Sequence, residues 1–192
     1  KVTFITFLIA SIAISGLPPF SGFFSKDEIL MTAFHHNKVL WVIGSVASIM
    51  TAFYMFRLLY LTFFRSFRGT EEQKSHLHES PSLITVPLIV LAVLAMIGGA
   101  INFPGSTWLT HYLDPIITGH TEHHELDGTA YMLMGIAIVG ALVGIGLAYA
   151  KYIKKAMVPV PDSEMTGRRL LYNKFYVDEV YDAVIVKPIY LI

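Results

Sequence analysis

Gly16-Leu17-Pro18-Pro19-Phe20-Ser21-Gly22 interrupts an apolar run that extends from Phe4 to about Phe34. Two adjacent prolines remove two backbone N–H donors and clash with the preceding helical turn, so a helix does not pass through them unperturbed. Glycines at 16 and 22 let the backbone turn on either side. The sequence around this point has the composition of a helical membrane protein. Of its 192 residues, 54% are hydrophobic and 15% charged, against about a quarter charged in an ordinary soluble domain. Mean hydropathy is +0.58. The apolar residues form long runs between short polar stretches, which excludes a soluble enzyme and implies helices that span a bilayer.

Working outward from the break, about four spans are expected in an all-α membrane protein, the first of them discontinuous. They cover about 4–34 (broken at 16–22), 39–64, 83–101 and 129–150. At 1.5 Å per residue the second reaches about 39 Å, enough to cross with tilt. The fourth carries Gly140-Ala141-Leu142-Val143-Gly144, a small-xxx-small pattern that lets helices approach closely. Residues 1–150 thus read as one helix bundle. Residues 151–167 read as a linker, with Pro159, Pro161 and a closing Gly167. From 168 to 192 the chain turns amphipathic: Leu170, Leu171, Phe175, Val177, Val180, Tyr181, Val184 and Ile185 fall on helical spacing against Lys174, Asp178, Glu179 and Asp182. This reads as a helix lying along the membrane surface. Apolar sequence begins directly at Lys1 and continues through Tyr190-Leu191-Ile192, so the chain is expected to be a segment of a longer protein.

Loop charge orients the spans. Lys151, Lys154, Lys155, Arg168, Arg169 and Lys174 follow the fourth span, whereas Asp114, Glu122, Glu125 and Asp127 lie between the third and fourth. Lys and Arg favour the cytoplasmic side, which places 151–192 inside and 103–128 outside. Counting back puts 65–81 (Arg65, Arg68, Lys74) inside and the turn at 35–38 outside. A formal net charge of zero without a long basic run gives nucleic acid no electrostatic footprint. The absence of cysteine removes disulfides and thiolate-ligated clusters.

Candidate chemistry lies at the break. Irregular backbone at membrane depth persists only where protein or water satisfies its polar groups, and broken helices of this kind line ion sites in transporters. Ser25-Lys26-Asp27-Glu28 follows directly. Ser25 and Glu28 have capping-box spacing, so the helix is expected to restart there with Lys26 in its first turn. A cation there meets the positive pole of the helix, and burial adds to its cost, while Asp27 offsets both. An intramembrane lysine balanced in this way suits a proton relay. The plainer reading has Phe4–Phe24 crossing alone with a kink, which leaves Lys26 solvated at the outer interface. Arg57, within the second span, either snorkels to inner headgroups or faces the bundle, with Tyr54 and Thr51 one or two turns away. His120-Thr121-Glu122-His123-His124-Glu125 has metal-ligand residue types, but no rigid element presets their geometry, so it reads as a solvated polar loop without a metal. His76 and His78 read alike, and His35-His36 sits where a proton exit would open. Polar segments contain neither a phosphate-binding glycine loop nor a nucleophile elbow.

Gly16-Leu17-Pro18-Pro19-Phe20-Ser21-Gly22-Phe23-Phe24-Ser25-Lys26-Asp27-Glu28-Ile29-Leu30 closely resembles the broken-helix signature of the largest antiporter-like membrane subunit of respiratory complex I, subunit L in bacteria and chain 5 in mitochondria. Leu171-Tyr172-Asn173-Lys174-Phe175-Tyr176-Val177-Asp178-Glu179-Val180-Tyr181-Asp182, with Val186-Lys187-Pro188, resembles that subunit's entry into its long lateral helix. The resemblance therefore covers the whole chain. It implies a membrane-arm subunit that couples quinone reduction by NADH to proton translocation, with Lys26 ending a chain of charged residues and Asp27 beside it toward the outside. It also implies that NADH, FMN, iron–sulfur clusters and quinone sit on other membrane or peripheral subunits, that no cofactor is held by this chain, and that the bilayer is a bacterial cytoplasmic membrane rather than a mitochondrial one. The large subunit of multisubunit sodium/proton antiporters shares the broken-helix region and is the nearest alternative. A purely structural module, in which 168–192 braces neighbouring subunits, is the other.

Overall fold

The computed structural model describes residues 1–67, 69–102, 112, 115–116, 128–154 and 173–190. Among them every regular element is helical. Six helices fall within Lys1–Ala156: α1 (Val2–Ser15), α2 (Ser21–His36), α3 (Lys38–Phe63), α4 (Glu71–Ser75), α5 (Ser82–Ile97) and α6 (Gly128–Tyr149). α5 tightens into a 3₁₀ turn over Gly98–Asn102, and α6 widens into a π turn over Ala150–Lys154. Lys38–Phe63, Ser82–Ile101 and Gly128–Lys154 are each long and apolar enough to cross a bilayer. The first expected span is instead two shorter helices laid end to end, as the diproline requires.

α3 sets the length of the bundle. Asn37 begins it: the side chain accepts from Val39 N at 2.9 Å and from Leu40 N at 3.4 Å, satisfying two N–H groups that have no intrahelical partner. This cap permits a one-residue turn between α2 and α3. α1 runs antiparallel along the second half of α3, where the Phe4 and Phe7 rings meet Phe63 at 5.1 and 5.8 Å. α2 continues along the first half, with Leu30 against Gly44 and Phe34 edge-on to Trp41 at 5.3 Å. α5 accompanies α1 in the same direction and ends with Gly99 against Phe24.

α6 packs along α3, also touching α2, and runs parallel to α3. Contacts climb in step along both helices, from Ile49 on Gly140, through Ala52 on Gly144, to Tyr60 against Tyr149. Phe56, Leu59, Ala148 and Tyr152 form the core of this pair. α3 and α6 are separated by one intervening crossing, α5, so they must run the same way, as the parallel ladder shows. Gly144 is what permits the approach. A methyl group there would lie 2.6 Å from the carbonyl oxygen of Ile49 and 3.2 Å from Ala52.

Met157–Ile192 forms a second unit. Its helix runs from Val177 through a π turn to Tyr190 (α7, Val177–Tyr181; α8, Lys187–Tyr190). Phe175, expected on its apolar face, lies outside it. Lys174, Phe175 and Tyr176 have φ of 51°, 58° and 57°, a left-handed turn that precedes the helix. Lys174 Nζ meets Asp178 Oδ2 at 3.0 Å across that turn. The π turn of α6 extends helix four residues into the stretch expected as linker. The rest of that linker (155–167), the acidic loop with Asp114 and the histidines at 120–124, and Leu170 and Leu171 lie outside the described residues.

Gly144→Ala is expected to lower the melting temperature of the full-length protein in mild detergent, since overpacking a contact with backbone costs about 1–3 kcal/mol. Gly146→Ala, whose added methyl meets no described atom, is expected to leave it within a degree or two.

Candidate functional site

Ser15 is the last helical residue of α1, and Gly16 follows in the left-handed conformation at φ 75°, ψ 44°. Its N–H turns back to the carbonyl of Ala13 at 3.1 Å. Leu17 and the exposed Pro18 and Pro19, joined by a cis peptide bond, carry the chain across the gap. α2 then starts at Ser21, preceded by Phe20. The gap is therefore Gly16–Phe20, and Gly22 sits in the first turn of α2 with ordinary helical backbone. It was expected to supply a second hinge. Its actual reason is space, because a methyl group there would fall 2.0 Å from the carbonyl oxygen of Ala13. Only glycine lets α2 rest on the end of α1.

The expected capping box at Ser25 and Glu28 is not formed. The helix has begun four residues earlier, without a side-chain cap, and Ser25 Oγ lies a long 3.5 Å from the carbonyls of Ser21 and Gly22. The capping box that does form is Thr70 with Gln73, at the start of α4. Starting at Ser21 moves Lys26 out of the first turn and changes its electrostatic setting. Its ammonium does not face the positive pole of α2. It reaches back and donates to the carbonyl of Ile14 at 2.7 Å, with Ser48 Oγ of α3 at 3.4 Å. Ile14 belongs to the last turn of α1, whose carbonyls lack helical partners and carry the negative end of the helix dipole. Lys26 thus closes the break.

Ser48 lies near the middle of the 26 residues of α3. Lys26 consequently sits at mid-length of the bundle and not at either end of it. Asp27 points elsewhere. It is 7% exposed and shares the buried face of α2 with Phe23 and Leu30. Among the described residues no ion pair joins it to Lys26. Thr32 and His36 continue along α2 toward its C-terminus, with Thr32 Oγ1 on the carbonyl of Glu28 at 2.9 Å and His36 Nδ1 at 3.1 Å from the carbonyl of Thr32.

Arg57 and Tyr54 are not part of this cluster. Arg57 stands nine residues beyond Ser48, about 14 Å along the helix axis, and its guanidinium lies 5.5 Å from the centroid of the Tyr152 ring. Thr51 Oγ1 is engaged with the carbonyl of Ala47 at 2.7 Å. Sequence reading missed Ser48, which is one small hydroxyl among apolar residues, and the buried Ser11 and Ser15. These last two donate to the carbonyls of Phe7 and Ser11 at 2.8 and 2.7 Å and make a narrow, polar-lined face on α1. Among the described residues no group of three or more His, Asp or Glu side chains is placed to hold a metal ion.

A discontinuous helix closed at mid-length by a lysine, among helices that cross a bilayer, defines an integral membrane protein of the antiporter-like class. Residues 1–51 match the family model described as "NADH:quinone oxidoreductase/Mrp antiporter, TM". Over 96% of its length the chain is 39% identical to the NAD(P)H-quinone oxidoreductase chain 5 of Picosynechococcus sp.. Over 94% it is 37% identical to the NADH-quinone oxidoreductase subunit L of Mycobacterium tuberculosis, and over 97% it is 34% identical to the chloroplastic NAD(P)H-quinone oxidoreductase subunit 5 of Chlorokybus atmophyticus. These alignments take up 31%, 29% and 29% of the respective relatives, so the chain spans about a third of their length. The chain belongs to the family of subunit L, or chain 5, of the NAD(P)H-quinone oxidoreductases.

Gly22→Ala is expected to push α2 off the end of α1 and break the Lys26–Ile14 contact. The melting temperature should fall as for other overpacked contacts, by about 1–3 kcal/mol in stability, and activity that depends on Lys26 should fall with it. Gly22→Ala at wild-type stability would mean that the two half-helices are not in contact there.

Proposed function

We propose that the chain contributes to proton translocation by the membrane arm of NADH:quinone oxidoreductase, with Lys26 as a relay lysine and Asp27 as the next group toward the outside. The observation that carries this reading is the position of the Lys26 ammonium, on the open carbonyl end of α1 and opposite the middle of α3. A protonated Lys26 supplies a donor to Ile14 and a positive charge to the end of the α1 dipole. A neutral Lys26 withdraws the charge and leaves that end weakly satisfied. Its protonation state and the geometry of the junction are therefore coupled, which a relay driven by a neighbouring charge requires. Asp27, buried one position away on α2, is the carboxylate that receives the proton in this reading.

Other membrane subunits of the complex and the lipid bilayer are the partners in this reading. NADH, FMN, iron–sulfur clusters and quinone are assigned to other subunits, and this chain does no redox chemistry of its own. The membrane is a bacterial cytoplasmic membrane, with 103–128 outside and 151–192 on the cytoplasmic side. The amphipathic stretch 168–192 lies along that surface and adds a bracing role.

Lys26→Ala in the full-length subunit is expected to leave the complex assembled while the rate of proton uptake into proteoliposomes drops by about tenfold or more. Lys26→Arg should impair pumping too, because arginine does not release its proton at working pH. An unchanged proton-to-electron ratio in Lys26→Ala would remove the relay. Failure of assembly on deleting 168–192, with Lys26→Ala still pumping, would leave a bracing module.

A further inference from the structure

Three cations converge on one residue at the cytoplasmic ends of α3 and α6. The guanidinium of Arg57 and the ammonium of Lys151 lie 5.5 and 5.6 Å from the centroid of the Tyr152 ring, and Lys151 is also 6.0 Å from the Phe53 ring. Arg65 Nε donates to the Tyr152 carbonyl at 2.8 Å. Tyr152 itself is 5% exposed, locked among Phe56, Leu59 and Ala148, so the ring is a fixed platform. Arg57 and Lys151 remain exposed above it. Neither has an ion pair among the described residues, and neither α3 nor α6 with its π turn contains an Asp or Glu. On the same side of the bundle, Glu71 is paired with Lys74 and Glu79 holds the first N–H groups of α1.

We propose that Arg57 and Lys151 bind the phosphate of an anionic phospholipid in the cytoplasmic leaflet. Depth, charge and shape all favour this occupant. Arg57 lies six residues before the end of α3, about 9 Å from it by helical rise. An arginine side chain from that level reaches the headgroup layer of a hydrocarbon core about 30 Å thick. Two unpaired cations at a membrane surface attract an anionic headgroup and give a zwitterionic one no comparable gain. Tyr54, one turn before Arg57, and Leu147, one turn before Lys151, are exposed at 49% and 56%. Both helices run from outside to inside, so these residues lie one turn deeper, where the acyl chains of a lipid held by its phosphate would rest. The site is independent of Lys26.

The test uses the full-length subunit in the intact complex, in bilayer discs containing a photoactivatable phosphatidylglycerol. Labelled peptides are expected to map to the cytoplasmic ends of α3 and α6. Unlabelled phosphatidylglycerol should compete with labelling, whereas phosphatidylcholine and inorganic phosphate should not. The double variant Arg57→Gln, Lys151→Gln should lose label by about tenfold, while Lys151→Arg, which keeps the charge, should retain it. Equal labelling by a phosphatidylcholine analogue would overturn the proposal, and so would undiminished label in the double variant. Competition by inorganic phosphate would mean a soluble anion site instead. An acidic side chain from elsewhere in the complex found on Arg57 would replace the lipid altogether. Should the double variant fail to assemble, the competition experiment on the unmodified complex decides alone.

Discussion

The open carbonyl end of α1 is the constraint around which this bundle is arranged. A diproline stops the helix halfway along its neighbour, and stopping a helix leaves its last carbonyls without donors at a depth where water is scarce. The protein closes that end from within. Gly16 N–H takes the carbonyl of Ala13, the Lys26 ammonium takes that of Ile14, and Gly22 brings α2 close enough for the lysine to reach. The prolines ease the problem in one respect, since neither contributes an N–H that would need an acceptor. Because α1 and α2 stay stacked end to end, they cover the length of α3 as one interrupted crossing, with α5 alongside α1.

Much of this was legible in the sequence because it follows from hydropathy, charge and backbone sterics. Long apolar runs give the spans, Pro18-Pro19 gives the break, and the order of the spans gives the parallel packing of α3 and α6. What was not legible depends on contacts between residues distant in sequence. Ser25 and Glu28 satisfy the spacing of a capping box, yet the helix had already begun at Ser21. Spacing alone does not say where the chain re-enters helix after a proline turn. The glycine at 22 suggested a hinge, because a sequence does not reveal whether a glycine is there for its φ or for the absence of its Cβ. Ser48 and Tyr152 gave no signal at all. Each matters through a partner, Lys26 or Arg57, that only the packing of α3 against its neighbours supplies.

The revised position of Lys26 changes the argument for its chemistry as well as its address. In the first turn of α2 it would have faced a helix end that repels it, and its place there would have needed Asp27 as counter-charge. At the end of α1 it faces a helix end that attracts it, and Asp27 is left buried on a separate face. The lysine is held by backbone, which cannot change its charge, and the carboxylate stands apart from it. For the relay proposed above, an arrangement of this kind would let the proton leave one group without first breaking a salt bridge to the other. A tightly paired Lys26 and Asp27 would instead stabilise both charges together and resist the transfer.

Two intramembrane cations in one chain have thus been accommodated by different means. Lys26, at mid-length of the bundle, is met by a backbone carbonyl and a hydroxyl, both fixed dipoles, and by no ion pair among the described residues. Arg57, nearer the edge, is met by the face of a tyrosine and remains open to whatever lies outside the bundle. Both accommodations depend on glycine at a helix contact. Gly22 lets α2 settle on α1, and Gly144 lets α6 approach α3 so that Tyr152 falls beneath Arg57 a few turns further on. A bulkier residue at either position would separate the helices and strand a charge that the low dielectric does not tolerate. In this bundle, then, the small residues at the contacts determine where charge is allowed to sit.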